Sequence, residues 1–324
     1  MAESRPFLEV RNLRVWYPVR RGFWNRVCGH IRAVDGVSFA LQEGETLAVV
    51  GESGCGKTTL GRAIVGLEPP TEGEIFYEGK TWRDLDKRQR SQWRRDVQMV
   101  FQDPFASLNP RFSAMDAVTE GLVQHGLLNG RTREEAAAEL LAEVGLESEM
   151  MFRYPHEFSG GQRQRLSIAR ALSLSPRLVV CDEPVSALDV SVQAQIINLL
   201  LDLRQKRHLT LLFISHDLSV VRLIATQVAV MYLGKLVETG RPEQVLDAPA
   251  HPYTRALAEA VPRPGGKREI VSRLSGDFPS PLTPPEGCVF HQRCSEAGPE
   301  CSERQPALKE CSDGRCVACQ HCQL

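Results

Sequence analysis

One short loop limits what this chain can fold into more than any other feature of its sequence. The apolar run 46–50 precedes eight residues that match the pattern G-x-x-x-x-G-K-[ST]: Gly51, Glu52, Ser53, Gly54, Cys55, Gly56, Lys57 and Thr58. In this pattern a glycine-rich turn joins a strand to a helix, and its backbone N–H groups point at phosphate oxygens. A helix that begins near Gly56 adds the positive end of its dipole. The loop predicts a nucleoside triphosphate site, with Lys57 at the β- and γ-phosphates and the Thr58 hydroxyl on Mg²⁺.

Composition sets the broad class of the chain. Its 324 residues carry a formal net charge of -1, which gives no case for binding nucleic acid through overall charge. No apolar run approaches the ~18 residues that a membrane span needs, and residues 1–10 lack the apolar region of a signal peptide. We therefore expect a cytosolic protein, which can still dock on a membrane protein.

Apolar patterning predicts alternating strands and helices. The predicted strands are 8–17, 33–41, 46–50, 73–79, 96–101, 177–181, 210–214 and 227–232, and the predicted helices cover 132–144, 159–174 and 190–207. This order indicates a parallel sheet with helices on both faces and a helical insertion at about 104–175. Between the first two strands, Arg20, Arg21, Arg26 and Arg32 are interpreted as a solvated basic loop.

The composition changes after Ala250. Residues 262–285 are rich in Pro, Gly and Ser, which is typical of a linker or an extended wrap. We therefore expect one domain over 1–250 and a C-terminal extension over 251–324.

Two acidic residues end a predicted buried strand. Asp182 and Glu183 follow the run 178–181. A strand end beside a phosphate loop is where a Mg²⁺-holding aspartate belongs, so Asp182 takes that role. Glu183 points in a different direction and is predicted to polarise the attacking water as a general base.

A second phosphate-binding motif opens a predicted helix. Ser159 is a good N-cap, and Gly160 and Gly161 expose N–H groups at the positive helix end, followed by Gln162. Two half-sites in one chain suggest a head-to-tail pair of chains. Each nucleotide would then lie between one chain's loop and the other chain's helix start.

Together with Gln102, the run Ser186-Ala187-Leu188-Asp189 and His216, these motifs resemble, in the same order, the ATP-binding cassette (ABC) ATPases. The resemblance covers residues 8–250, with Phe158 standing where leucine is commoner. It implies an α/β P-loop NTPase fold of the ABC type, with a parallel sheet core, an N-terminal antiparallel β subdomain and a helical signature subdomain.

The same resemblance implies roles for further residues. Tyr17 would stack on adenine, with Trp16 as the competing choice, and Thr59 would complete the phosphate-binding segment. Gln102 would contact Mg²⁺ and the water while sensing a transmembrane partner. Asp189 would act across the dimer, and His216 would hold the γ-phosphate.

A narrower resemblance concerns the substrate. The segments 17–22, 100–104, 107–111, 184–195 and 251–257 are similar to the ATPases of dipeptide and oligopeptide importers, and the opening segment is closer to their F-type subunit than to the D-type. Nickel and opine importers share much of this pattern. The resemblance implies as partners a second ATPase (a D-type subunit or a second copy), two transmembrane permease subunits and an extracytoplasmic peptide-binding protein. It places the chain on the cytoplasmic face of the membrane, as a peripheral subunit without nucleic acid.

Two other functional classes agree less well with the sequence. A soluble cassette ATPase acting on DNA is opposed by the near-neutral charge and by the short stretch between Lys57 and Ser159, which leaves no room for coiled-coil arms. A non-catalytic regulatory subunit is opposed by the presence of both Glu183 and His216.

Seven of the ten cysteines lie after residue 287. In a reducing compartment such a cluster indicates a metal site before a disulfide framework. In some members of the peptide-importer subfamily the four matching cysteines hold an iron–sulfur cluster, so the resemblance implies that Cys288, Cys294, Cys301 and Cys319 would hold a [4Fe–4S] cluster. Four thiolates suit Zn²⁺ equally, and reduced free thiols are the alternative to a bound metal. Cys316 with Cys319, Cys322 and His321 offers an overlapping ligand set. Because this tail is far in sequence from Lys57, we expect it to take little direct part in ATP chemistry.

Overall fold

The computed structural model describes residues 5–260 and 278–321. They form two compact units: one contains the chain up to Trp82 and from Ser215 onward, and the other contains Arg83–Ile214. The strands, numbered in chain order, are β1 (Leu8–Arg21), β2 (Arg26–Leu41), β3 (Thr46–Val50), β4 (Glu72–Tyr77), β5 (Lys80–Thr81), β6 (Val97–Val100), β7 (Leu178–Asp182), β8 (Thr210–Ser215), β9 (Gln227–Tyr232), β10 (Lys235–Gly240), β11 (Lys309–Glu310) and β12 (Cys316–Val317). The α-helices are α1 (Lys57–Ile64), α2 (Lys87–Asp96), α3 (Pro104–Ser107), α4 (Ala114–Gln124), α5 (Arg133–Glu143), α6 (Gly160–Leu172), α7 (Val190–Arg207), α8 (Leu218–Ile224), α9 (Pro252–Glu259) and α10 (Pro299–Glu303). Across the two described ranges, no helix has the length and apolar character needed to cross a bilayer.

The first unit begins with an antiparallel sheet in the order β2-β1-β4-β5. The basic segment between β1 and β2 is a paired hairpin and not the loop that we expected, because the two strands stay paired, through several register shifts, up to Arg21 opposite Arg26. Its arginines are exposed, as expected of a solvated segment. Gly22 and Asn25 both have positive φ, which allows a tight turn and lets the strands continue to it.

The same unit contains a second set of strands, in the order β11-β12-β10-β9-β3. All five residues of β3 are buried and apolar or hydroxylated, as in a strand covered on both faces, and β3 pairs in parallel with β9. At the other end of this set, the C-terminal strand β12 pairs with β10, with Val317 opposite Glu238. The C-terminal extension is therefore docked partly by strand addition.

The second unit has three parallel strands in the order β8-β7-β6. β7 and β8 are buried along their whole length, which matches their uninterrupted apolar sequences. Helices α3 to α6 lie between β6 and β7 in the chain, within the range 104–175 where a helical insertion is predicted. The predicted capping box is also present, because the Thr132 side chain accepts a hydrogen bond from the N–H of Glu135 at the start of α5.

The C-terminal extension packs against the rest of the first unit through an aromatic core. Tyr232 of β9 contacts Tyr253 of α9 and Phe290 at ring-centroid distances of 4.6 and 5.2 Å. The buried carboxylate of Glu238 accepts hydrogen bonds from the backbone N–H groups of Ala250 and His251, which fixes the start of α9. Part of the predicted linker, 262–277, lies outside the described residues, and the predicted boundary at Ala250 stays a prediction.

Candidate functional site

The phosphate loop joins the buried strand β3 to helix α1, as the sequence predicts. Gly56 has φ +108, and a Cβ there would lie 1.9 Å from the Ala33 carbonyl oxygen. At Gly51 a Cβ would lie 2.2 Å from the Met231 carbonyl oxygen. Only glycine fits at either position, because a carbonyl oxygen of a neighbouring segment occupies the space that a Cβ would need. The glycines thus allow a tight turn that leads into the N-terminal, positive end of α1.

Lys57 lies folded against this loop. Its Nζ donates hydrogen bonds to the carbonyl oxygens of Gly51 and Glu52 at 2.8 and 2.9 Å, and its side chain is buried. The thiol of Cys55 is also buried, which raises its pKa, while the ammonium of Lys57 acts in the opposite direction. The loop therefore places the buried ammonium of Lys57 beside a glycine-rich turn at the N-terminus of α1, an arrangement that suits an anion.

The two candidate adenine-stacking residues occupy different surroundings on β1. Burial raises the pKa of the Tyr17 hydroxyl, which interacts with Thr59 of α1 and with Glu68. Trp16 lies under the guanidinium of Arg32, 5.1 Å from the ring centroid. Tyr17 is thus the residue beside the helix that follows the phosphate loop.

In the second unit, Glu183 and Gln102 meet directly. The Gln102 amide Nε2 donates to the Glu183 carboxylate oxygen at 3.1 Å. Asp182, the last residue of β7, is 2% exposed. Glu183 has φ +43, a left-handed conformation that is costly for a residue with a side chain. This strained turn sends the Glu183 side chain away from the strand direction and towards Gln102.

The start of α6 is built as the sequence predicts. The Ser159 hydroxyl accepts a hydrogen bond from the N–H of Gln162, and the Gln162 side chain accepts one from the N–H of Ser159. A Cβ at Gly161 would lie 2.5 Å from Val192 of α7, so glycine permits this close approach of two helices. Gly160 is exposed and Gly161 is half-buried, so the first turn of α6 presents the positive end of the helix at the surface, where an anionic ligand can bind.

Two predicted residues stand at the starts of other helices. Asp189 is the N-cap residue of α7 and is exposed. His216 is exposed and precedes Asp217, whose side chain accepts a hydrogen bond from the N–H of Ser219 at the start of α8. Their predicted roles, across the dimer and at the γ-phosphate, stay predictions.

Sequence reasoning missed a contact between the C-terminal extension and the phosphate loop. The Arg293 guanidinium forms a two-pronged ion pair with the Glu52 carboxylate, at 2.6 and 3.0 Å. The Tyr253 hydroxyl accepts a hydrogen bond from the Glu52 backbone N–H at 2.9 Å. The tail therefore contacts the phosphate loop, although we expected it to take little direct part in ATP chemistry. No local signal marks a pair that is separated by 241 residues.

The four cysteines proposed as metal ligands line one small cavity. Cys288, Cys294, Cys301 and Cys319 surround it together with the rings of His291 and other residues, whereas Cys311 and Cys316 do not line it. Burial raises the pKa of Cys288, and the three other cavity thiols act in the same direction. Across residues 5–260 and 278–321, no group of three or more His, Cys, Asp or Glu side chains is arranged to hold a metal ion, so neither iron–sulfur nor zinc is supported by a formed site. Cys322 lies outside the described residues.

Two family models match the chain. The model described as ABC transporter matches residues 34–186. The model described as the C-terminal region of oligopeptide/dipeptide transporters matches residues 237–301.

Relatives match over almost the full length. The oligopeptide transport ATP-binding protein AppF of Bacillus subtilis is 51% identical over 98% of both chains. The dipeptide transport ATP-binding protein DppF of Escherichia coli is 49% identical over 98% of this chain and 94% of its own. Among solved structures, the ATP-binding cassette MJ0796, a dimer in a post-hydrolysis state with ADP and Pi, is 29% identical with a TM-score of 0.63. It covers 72% of this chain and 98% of its own.

Proposed function

The chain belongs to the ATP-binding proteins of oligopeptide and dipeptide ABC transporters, and on this premise we propose that it hydrolyses ATP to energise peptide import. The observation that carries the proposal is the phosphate loop, whose glycines are fixed by backbone contacts in a chain 51% identical to an oligopeptide transport ATP-binding protein. ATP and Mg²⁺ are the substrate and the metal of this family's reaction.

The residues divide the chemistry between them. Lys57 and the N–H groups of the loop bind the phosphates, and Tyr17 stacks on the adenine. Thr58, Asp182 and Gln102 would hold Mg²⁺, which neutralises charge on the phosphates when it is bound. The buried carboxylate of Asp182 at the end of β7 suits such a hard cation.

Glu183 orients the attacking water and takes up its proton, and Gln102 holds the carboxylate oxygen of Glu183 in place. His216 contacts the γ-phosphate. In this arrangement the protein contributes mainly positioning and charge compensation, because phosphoryl transfer needs little covalent chemistry from the enzyme.

The chain is proposed to work as one half of a head-to-tail pair. Ser159, Gly160, Gly161 and Gln162 then complete the nucleotide site of the other ATPase, and Asp189 acts across the same interface. The dimeric state of the related cassette MJ0796 supports this arrangement. The other ATPase is a D-type subunit or a second copy, and two permease subunits and a peptide-binding protein complete the importer on the cytoplasmic face of the membrane.

Peptides are the favoured substrate, because the relatives with about 50% identity over nearly the full length are named for oligopeptide or dipeptide transport. Nickel and opine are the alternative substrates. Co-purification of the tagged chain from membranes, with identification of its partners and peptide-dependent uptake in vesicles, tests the proposal. Recovery with a permease that takes up only nickel would replace the peptide assignment, and recovery without any membrane protein would overturn the transport function.

We also propose a finer point, that Cys288, Cys294, Cys301 and Cys319 hold a [4Fe–4S] cluster in a structural role. Their shared cavity supports the proposal, although no formed ion site is present in the described part of the chain. Such a cluster would staple an extension that has few apolar residues of its own. Anaerobic purification followed by iron, sulfide and zinc analysis is the test. About four iron and four sulfide per chain agree with the proposal; one zinc without sulfide replaces it, and the absence of metal removes it.

A further inference from the structure

The C-terminal extension reaches the phosphate loop through one short segment. Arg293 is the last residue of the 3₁₀ turn His291–Arg293 and lies in the sequence between Cys288 and Cys294. Both of these cysteines line the small cavity described above. Its side chain is only 5% exposed, and it pairs with Glu52 through both terminal nitrogens. The Glu52 carboxylate raises the pKa of Arg293 above its ordinary value, so the guanidinium stays charged in this buried position.

Glu52 is held from two directions. Arg293 binds its side chain, and the fully buried Tyr253 binds its backbone N–H. The carbonyl of the same residue accepts a hydrogen bond from Lys57 at 2.9 Å. A displacement of Glu52 would therefore move a contact of the lysine that is assigned to the phosphates.

The negative charge of Glu52 links its ion pair with Arg293 to the binding of an anionic ligand. A carboxylate within a phosphate-binding loop repels the phosphates that the loop must bind. The Glu52 side chain is 26% exposed, so solvent screens only part of this repulsion. The Arg293 guanidinium cancels that charge at hydrogen-bond distance. It supplies a cation to the loop from a part of the chain that follows the whole nucleotide-binding domain.

We propose that Arg293 is a positioning residue of the nucleotide site, which fixes the phosphate loop through Glu52 and neutralises that carboxylate. The C-terminal extension is then part of the ATP site, and the segment 288–294, which contains Cys288 and Cys294, responds to nucleotide binding. This inference rests on the proposed function, since it presupposes that the loop binds MgATP.

Calorimetric titration of MgATP into the full chain tests the proposal with a set of matched variants. Arg293→Gln breaks the pair and leaves the Glu52 carboxylate uncompensated. If the released loop spends about a tenth of its time in the binding conformation, the apparent Kd rises about tenfold. Arg293→Lys keeps the charge without the two-pronged geometry and is expected to lie between the parent and Arg293→Gln. The control is Arg255→Gln, which breaks the exposed ion pair with Glu296 in the same region and leaves the Kd unchanged.

The double variant separates the effect of charge from general loosening of the fold. Adding Glu52→Gln to Arg293→Gln removes the unpaired carboxylate, so MgATP binding is expected to recover towards the parent value. A merely structural role predicts no recovery, because the second substitution removes further hydrogen-bonding capacity. The proposal is overturned if Arg293→Gln binds MgATP within twofold of the parent, or if the double variant binds no better than Arg293→Gln. A parent chain that binds no MgATP refutes the proposed function instead.

Hydrogen–deuterium exchange gives a readout that does not depend on activity. Coupling between two sites is reciprocal, so nucleotide must stabilise the extension as the extension stabilises the loop. Saturating MgATP is expected to slow amide exchange over residues 288–294 in the parent and in Arg255→Gln. In Glu52→Gln, which keeps the loop backbone but loses the ion pair, this protection is expected to disappear. Unchanged exchange over 288–294 in the nucleotide-bound parent would contradict the coupling.

Discussion

Replacing Phe290 with alanine tests how the C-terminal extension is attached. Phe290 is 2% exposed, and its ring packs against Tyr232, Tyr253 and His251 at centroid distances of 5.2, 5.3 and 5.8 Å. Removing a buried phenylalanine ring costs about 3–5 kcal/mol, because the transfer free energy is lost and a cavity remains. At about 2–4 °C per kcal/mol for a domain of this size, the melting temperature falls by roughly 6–20 °C.

The control is the same substitution at an exposed phenylalanine. Phe23 lies at the tip of the β1–β2 hairpin and is 97% exposed, so Phe23→Ala is expected to change stability by no more than about 0.5 kcal/mol. Differential scanning calorimetry of the parent and both variants measures the difference. If Phe290→Ala melts within about 2 °C of Phe23→Ala, the extension is not packed on Tyr232 and Tyr253, and the reasoning about the aromatic core is refuted.

Three further predictions concern single positions. Burial lowers the pKa of His251 to about 4, from an ordinary value of 6.5, so the unfolded chain binds more protons than the folded chain between these pH values. Acidification from pH 7 to pH 5 is therefore expected to lower the free energy of unfolding by about 2 kcal/mol in urea titrations of the parent. The loss is expected to be smaller in His251→Asn. Gly56→Ala puts a methyl group 1.9 Å from the Ala33 carbonyl oxygen and should abolish MgATP binding in a calorimetric titration, whereas near-parental affinity would refute the described loop geometry. Gly161→Val crowds Val192 at the start of α6, so turnover of the assembled ATPase pair should fall while the isolated chain still binds MgATP; unchanged turnover would argue against a composite site.

The elements with strong local signals could be predicted from the sequence. The phosphate loop carries its own constraint, since glycines are required wherever neighbouring backbone closes on the chain, as Ala33 does at Gly56. The capping boxes at Thr132 and Ser159 likewise depend on residues only three positions apart. For such features the sequence determines both the element and the residue that begins it.

Features that depend on distant or exposed residues could not be predicted in this way. The β1–β2 hairpin keeps pairing through its exposed arginines, because ladder hydrogen bonds do not require an apolar pattern. The ion pair between Arg293 and Glu52 joins residues 241 positions apart, and neither local sequence indicates the partner. The left-handed backbone conformation of Glu183 could not be predicted either, since a glutamate is held in that conformation by its surroundings.

The most direct test of the central claim, that this chain hydrolyses ATP with Glu183 as the general base, is the turnover of Glu183→Gln in the assembled transporter. Glutamine keeps the size of the side chain and loses its basicity, so MgATP binding is expected to match the parent. Steady-state hydrolysis is expected to fall by about 10²–10⁴. Parental affinity combined with turnover within tenfold of the parent would contradict the account.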